Sequence, residues 1–301
     1  MGNKEFEVII IGGSYAGLSA ALSLGRSLRK TLVIDAGKPC NRQTPHSHNF
    51  LTQDGSTPQE LLERAKKQVS RYDRVKFYDG HAISGKRTST GFEITTSKQA
   101  VFSAKKLVFA TGIKDLIPNI KGFSECWGIS VVHCPYCHGY EIRKKKTAIL
   151  ANGEKAFHLA PLVRNLTDDI TVITAGKPDF SEGQMSRLHR NRIRILEKEI
   201  AEIKHVDGQL KTLVFKDGSQ EGYDAAYAPI PFEQNTGIPQ ELGCNITEGG
   251  YIEVDPMYKT TQEGIFACGD GSSMFRSVAT AVYGGNVTGA LLNKELTEES
   301  F

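Results

Sequence analysis

A chain of 301 residues with 39% hydrophobic and 24% charged residues has material for about two domains with buried cores. Its net charge of +3, with no basic run interleaved with aromatics, excludes nucleic acid as an expected partner. No stretch approaches a membrane span and the N-terminal region lacks a signal-peptide core, so no membrane contact and a cytoplasmic location are expected.

Val8 to Ile11 is an apolar, β-branched run of the kind buried on both faces of a parallel sheet. Gly12-Gly13-Ser14-Tyr15-Ala16-Gly17 follows, and Leu18 to Leu28 continues as a helix of small and apolar residues. Strand, glycine turn and helix form the context of a dinucleotide fingerprint. In it Gly12 makes the tight turn, Gly17 lets helix and strand approach, and Ser14 stands where the middle glycine is usual. Thr31 to Ile34 is the second strand, and Asp35 ends it where a carboxylate accepts from a ribose hydroxyl. These elements together point to an adenine dinucleotide.

Residues 36–58 are loop-like and carry Cys40, Arg42, His46, His48 and Asn49. Gln59 to Arg71 has the spacing of an amphipathic helix. Alternating runs at Val75 to Tyr78, Phe92 to Thr95 and Lys106 to Phe109 predict strands with turns between them, the last leading into Ala110-Thr111-Gly112, small residues that let backbone approach a ligand. Thr147 to Leu150, Phe157 to Leu166 and Ile170 to Ile173 predict strand, helix and strand. Near the C-terminus, Gly264 to Asp270 repeats the strand-then-glycine design, and a helix starts at about Val278. Asp270, at a strand end beside Gly269, can accept hydrogen bonds from a polyol chain.

Between these halves stands Cys134-Pro135-Tyr136-Cys137, flanked by His133 and His138. Two thiols at this spacing can close into a disulfide and reopen. The same letters also spell c-type haem attachment, and a C-x-x-C pair can serve zinc or a glutaredoxin-like module. Cys126, Cys244 and Cys268 supply no second pair at ligand spacing, so no metal site is expected. In a reducing compartment catalysis is favoured over structure for such a pair, and haem attachment loses ground.

In order and spacing, Gly12 to Gly17, Asp35, Ala110 to Gly112, Cys134 to Cys137 and Gly269-Asp270 resemble the low-molecular-weight thioredoxin reductases, over essentially the whole chain. The resemblance implies an α/β fold of two Rossmann-like, three-layer ββα nucleotide-binding domains, the second inserted in the first. Residues 1–116 and 239–301 would form the split FAD-binding domain, and 117–238 the NAD(P)-binding-like domain carrying the dithiol. It further implies a homodimer, with FAD lined by Gly12, Ser14, Tyr15, Ala16, Gly17, Asp35, Asn49, Thr111, Gly112, Gly269, Asp270, Arg276, Ser277 and Val278. Cys137 would face flavin, Cys134 would exchange with the partner, and His138 would take the place of the family's aspartate as proton donor.

The second fingerprint departs from the family. It reads Ala151-Asn152-Gly153-Glu154-Lys155-Ala156, with alanine for the first glycine, and only Lys177 follows the next strand where NADPH users have a basic cluster. NADPH use is therefore doubtful. Cys134 to Glu141 also resembles the branch of gliotoxin and holomycin dithiol oxidases, which pass electrons from a small dithiol through FAD to oxygen. The expected function is FAD-dependent thiol/disulfide exchange with a small dithiol or disulfide, or with a thioredoxin-like protein. The alternatives are an NAD(P)H-dependent thioredoxin reductase with an atypical pocket and a noncatalytic flavin-binding redox sensor.

Overall fold

The computed structural model describes residues 5–301. The described residues divide into two compact units: 5–42, 58–114 and 232–301 form the first, and 43–57 with 115–231 form the second.

The first unit opens with β1 (Glu5–Ile11), α1 (Tyr15–Arg26), β2 (Thr31–Asp35), α2 (Pro58–Val69) and β3 (Val75–Asp79). Strands β4 (Ala82–Thr88), β5 (Gly91–Thr96) and β6 (Val101–Phe109) follow. β1 lies between β2 and β6, parallel to both, so that Ile11 stands level with Ile34 and with Phe109. The alternation of strand side chains splits the apolar runs between two cores. Val8, Ile10, Val33 and Val108 pack on one face against α1, while Ile9, Ile11, Ile34 and Phe109 pack on the other with Phe92 and Ile94. Burial on both faces explains why these strands read as continuous apolar runs.

After β7 (Ile113–Asp115) the chain builds the second unit: α3 (Phe123–Cys126), β8 (Val131–Val132), α4 (Pro135–His138), β9 (Thr147–Leu150), α5 (Gly153–Arg164), β10 (Ile170–Ile173), α6 (Glu182–Arg190) and β11 (Arg194–Leu196). Then come β12 (Ile200–Val206), β13 (Gln209–Phe215), β14 (Gln220–Gly222) and β15 (Ala225–Tyr227). A parallel sheet in the order β11-β10-β9-β15-β8 carries α5 on one face and the antiparallel β12-β13-β14 sheet on the other. This is a three-layer ββα arrangement.

The chain returns through β16 (Phe232–Gln234), which pairs with β7, and α7 (Ile238–Glu241) to β17 (Ile265–Ala267) and α8 (Val278–Glu298). β17 runs parallel to the second half of β6, and β5 runs antiparallel to its first half.

The boundaries differ from the sequence reading in three places. Residues 232–238 return to the first unit, while 115–116 and 43–57 group with the second. The 43–57 segment closes on itself, with Ser47 N donating to Ser56 O and Gly55 N to Ser47 O, and it leans on Gly128 through Gln43 and Thr44. A loop of proline, glycine and polar residues has no periodicity, so nothing in its sequence reveals the body it packs against.

Candidate functional site

The carboxyl ends of β1, β2, β6 and β17 converge in the first unit, where parallel strands leave a crevice for a ligand. A cleft of about 820 Å³ occupies this place. Gly12 turns the chain out of β1 at φ +104°, and a Cβ there would lie 2.2 Å from Ala110 O. A Cβ on Gly17 would meet Gly12 O at 1.8 Å, so both glycines are demanded by close approach. Gly13 N donates to Asp35 Oδ1 at 3.0 Å, fixing that carboxylate at the end of β2.

Of the residues expected around the dinucleotide, Gly12, Ser14, Ala16, Asp35, Thr111, Gly112, Gly269 and Asp270 line this cleft. Tyr15 stands on α1 with its hydroxyl donating to Pro58 O, and Gly17 serves the packing of the turn. Ser277 caps α8, its side chain accepting from Thr280 N, and Val278 opens that helix. Arg276 places its guanidinium over Phe232. Asn49 lies in the 43–57 segment, at φ +60° in a turn closed by Asp54, and so belongs to the second unit.

In the second unit Cys134 is the N-cap of α4, its sulfur accepting from Cys137 N at 3.3 Å. Pro135 at the first helical position suits its fixed φ to the turn, and the two sulfurs stand 2.7 Å apart. Burial pushes the His138 imidazole below its ordinary value; Glu141 pulls it back up and His48 pushes it further down. The net direction is downward, so the ring is neutral at neutral pH. The 43–57 segment brings His48 to this place, with its Nε2 3.6 Å from Glu141 Oε1 and its Nδ1 3.7 Å from Asp54 Oδ1. Sequence reasoning left His48 a loop residue, and only the i,i+3 spacing of His138 and Glu141 hinted at this cluster. Cys126, Cys244 and Cys268 are buried thiols whose ionisation burial drives upward, for Cys268 to about 12, which makes them inert beside the motif. Among the described residues no cluster of ligands could hold a metal ion.

The model of the pyridine nucleotide-disulphide oxidoreductase family matches residues 6–285. The chain belongs to this family. A thioredoxin reductase of Claviceps purpurea, tcpT, is 31% identical over 96% of this chain and 94% of its own. Among solved structures, an oxidoreductase from Agrobacterium tumefaciens superposes with a TM-score of 0.92 at 36% identity, covering 98% of this chain and 99% of that one. HlmI superposes at 0.93 with 27% identity over 100% and 95%. The protein is thus a thioredoxin reductase-like oxidoreductase acting on sulfur groups, with the two-domain α/β fold of such enzymes.

FAD is the cofactor of this oxidoreductase family. The residues present fit it. Thr111 Oγ1, at the cleft wall, is buried without a hydrogen-bond partner, an orphan that a ligand would satisfy. Asn235 Nδ2 holds Thr111 O at 2.8 Å, and Asn235 with Thr236 completes a wall that sequence reasoning did not assign.

The second fingerprint of the oxidoreductase is built differently. Ala151 avoids the left-handed region, which moves to Gly153 at φ +57°. Asn152 caps α5, its Oδ1 accepting from Gly153 N and Asp179 N while its Nδ2 donates to Lys177 O, each within 2.9 Å. The 177–179 loop is thereby strapped across the start of α5. Glu154 in the first turn and Asp179 against Gly153 add negative charge where a pyrophosphate would need positive potential. Arg187 on α6 stacks on Phe157.

Proposed function

We propose that the protein is an FAD-dependent dithiol oxidase acting on small dithiols, with little or no use of NADPH. The observation that carries this reading is the strapped and acidic start of α5, beside a first unit whose dinucleotide cleft is intact. Cys134 and Cys137 form the redox-active disulfide of the cycle. One substrate thiolate attacks Cys134 Sγ; the Cys134–Cys137 bond breaks and Cys137 leaves as thiolate. The second substrate thiolate attacks the substrate sulfur of the mixed disulfide, releasing Cys134 and an oxidised, cyclic substrate. The substrate gives up two electrons and two protons; the neutral His138 ring accepts one proton at its free nitrogen and the other passes to solvent water. When bound, FAD supplies the two-electron acceptor that restores the disulfide and the outlet to dioxygen, which leaves as hydrogen peroxide. In the cleft, Asp35 would accept from the ribose and Asp270 from the polyol chain, with Thr111 hydrogen-bonding beside them.

The reading includes a homodimer, supported by the exposed apolar side chains Met274 and Phe275 in the loop before α8 and Tyr283 near its start. A cytoplasmic location suits a thiol pair that must cycle, and no described helix is long and apolar enough to cross a membrane. Under air the flavin-loaded protein should turn over dithiothreitol and release one peroxide per disulfide formed. The Cys134→Ser and Cys137→Ser variants should each lose at least 100-fold of that rate. Turnover that survives both substitutions would sink the mechanism.

A further inference from the structure

Beneath the dithiol lies a hydroxyl that the mechanism above does not use. Tyr227 ends β15, in parallel register with Val132 of β8, and Val132 leads directly through His133 into Cys134. Its ring packs with Val132, Ile142 and Leu159, on the sheet face that carries α5. Tyr227 is 1% exposed, and its hydroxyl is buried without a hydrogen-bond partner. A buried donor left unpaired is costly, and such groups concentrate where a partner appears during function.

The groups that act on this phenol are those of the dithiol. Burial first, then the negative charges of Cys134 and Glu141, drive its ionisation well above the ordinary phenol value, so the proton stays on the oxygen throughout the working range. The other titratable groups about the motif include Tyr136, Cys137 and His138 on α4, His133 before it, and His48 opposite Glu141.

We propose that Tyr227 is the hydrogen-bond donor that holds Cys134 as thiolate once the disulfide opens. Opening frees the Cys134 side chain to rotate towards the hydroxyl. The O–H bond is not broken and no electron moves; the donor lowers the energy of the charged sulfur only. Tyr227 is therefore a positioning residue that makes Cys134 a better leaving group when the mixed disulfide resolves. The proposal rests on the dithiol exchange described above, and it names the group that sets the acidity of the interchange thiol.

The test compares Tyr227 with Tyr227→Phe, both in a Cys137→Ser background, by following iodoacetamide alkylation of the Cys134 peptide against pH by mass spectrometry. Loss of a hydrogen bond to a charged group should raise the midpoint by about one pH unit. Incorporation of 3-fluorotyrosine at position 227, a more acidic donor, should lower it. The oxidised Tyr227→Phe protein, with its Cys134–Cys137 pair intact, should melt no lower than the parent, since it loses only an unpaired hydroxyl. Coincident midpoints, or shifts in the same direction, would overturn the proposal. So would a marked drop in melting temperature, which would place the hydroxyl in a structural bond of the oxidised chain. None of these measurements involves an electron partner. Flavin reduction by NADPH would overturn the proposed function and leave Tyr227 in place, whereas an unshifted thiol would remove only Tyr227.

Discussion

The carboxamide of Asn152 makes three hydrogen bonds at the start of α5, one of them to Gly153 N, a donor that a bound pyrophosphate would otherwise claim. His138 illustrates the opposite case, a residue whose surroundings prepare it for work. Its folded pKa lies below the ordinary value near 6.5, chiefly through burial. As pH falls from 6.5 through that folded pKa, the unfolded chain binds its proton first, so stability declines over the same window in which the base is lost. Dithiol oxidation should accordingly show an acid limb below pH 6.5. His138→Asn should erase that limb and lower kcat/KM by about 100-fold. A limb that persists unchanged in the variant would assign the proton to another group, with His48 the first to test.

At the scale of elements, the first unit depends on how closely α1 and α8 approach. A Cβ on Gly285 would stand 2.1 Å from Ala16 O, and one on Gly289 would stand 2.7 Å from Ala20 O. Ala16 also lines the cleft and touches the turn at Gly269. Gly285→Ala should therefore push the helices apart, costing about 1–3 kcal/mol, and should lower the flavin content of the purified protein. Unfolding in urea and the ratio of flavin to protein absorbance measure the two effects. Unchanged stability and full flavin content would contradict this packing. Lys106 ties α8 to β6 from the other side. Burial alone would push its amine down, but the hydrogen bonds it donates to Glu295 and Glu299 hold it above the ordinary value.

Across the whole molecule, the sequence was most informative where backbone geometry demands particular residues. Gly12, Gly17 and Asp35 could be read because turn, close approach and carboxylate each admit few residue types at fixed spacing. The Cys134–Cys137 pair was readable for the same reason. Three features were hidden. The 43–57 loop has no pattern that tells where it packs, so His48 could not be placed beside Glu141 and His138. The edge strand β4 went unassigned, its exposed Ser84-Gly85-Lys86-Arg87 run lacking apolar alternation. Tyr227 drew no reading at all, because an orphaned hydroxyl exists only once the sheet register is known. At the second fingerprint the sequence showed a lost glycine, and the structure adds what replaced it, a loop fastened over the helix start.

In the proposed cycle electrons enter from thiols and not from a nicotinamide. Anaerobic mixing of the flavin-loaded protein with NADPH, NADH and dithiothreitol, followed by flavin absorbance, tests it most directly. Dithiothreitol should bleach the flavin within a turnover time while both nicotinamides leave it oxidised; prompt bleaching by NADPH would show that a nicotinamide feeds this flavin.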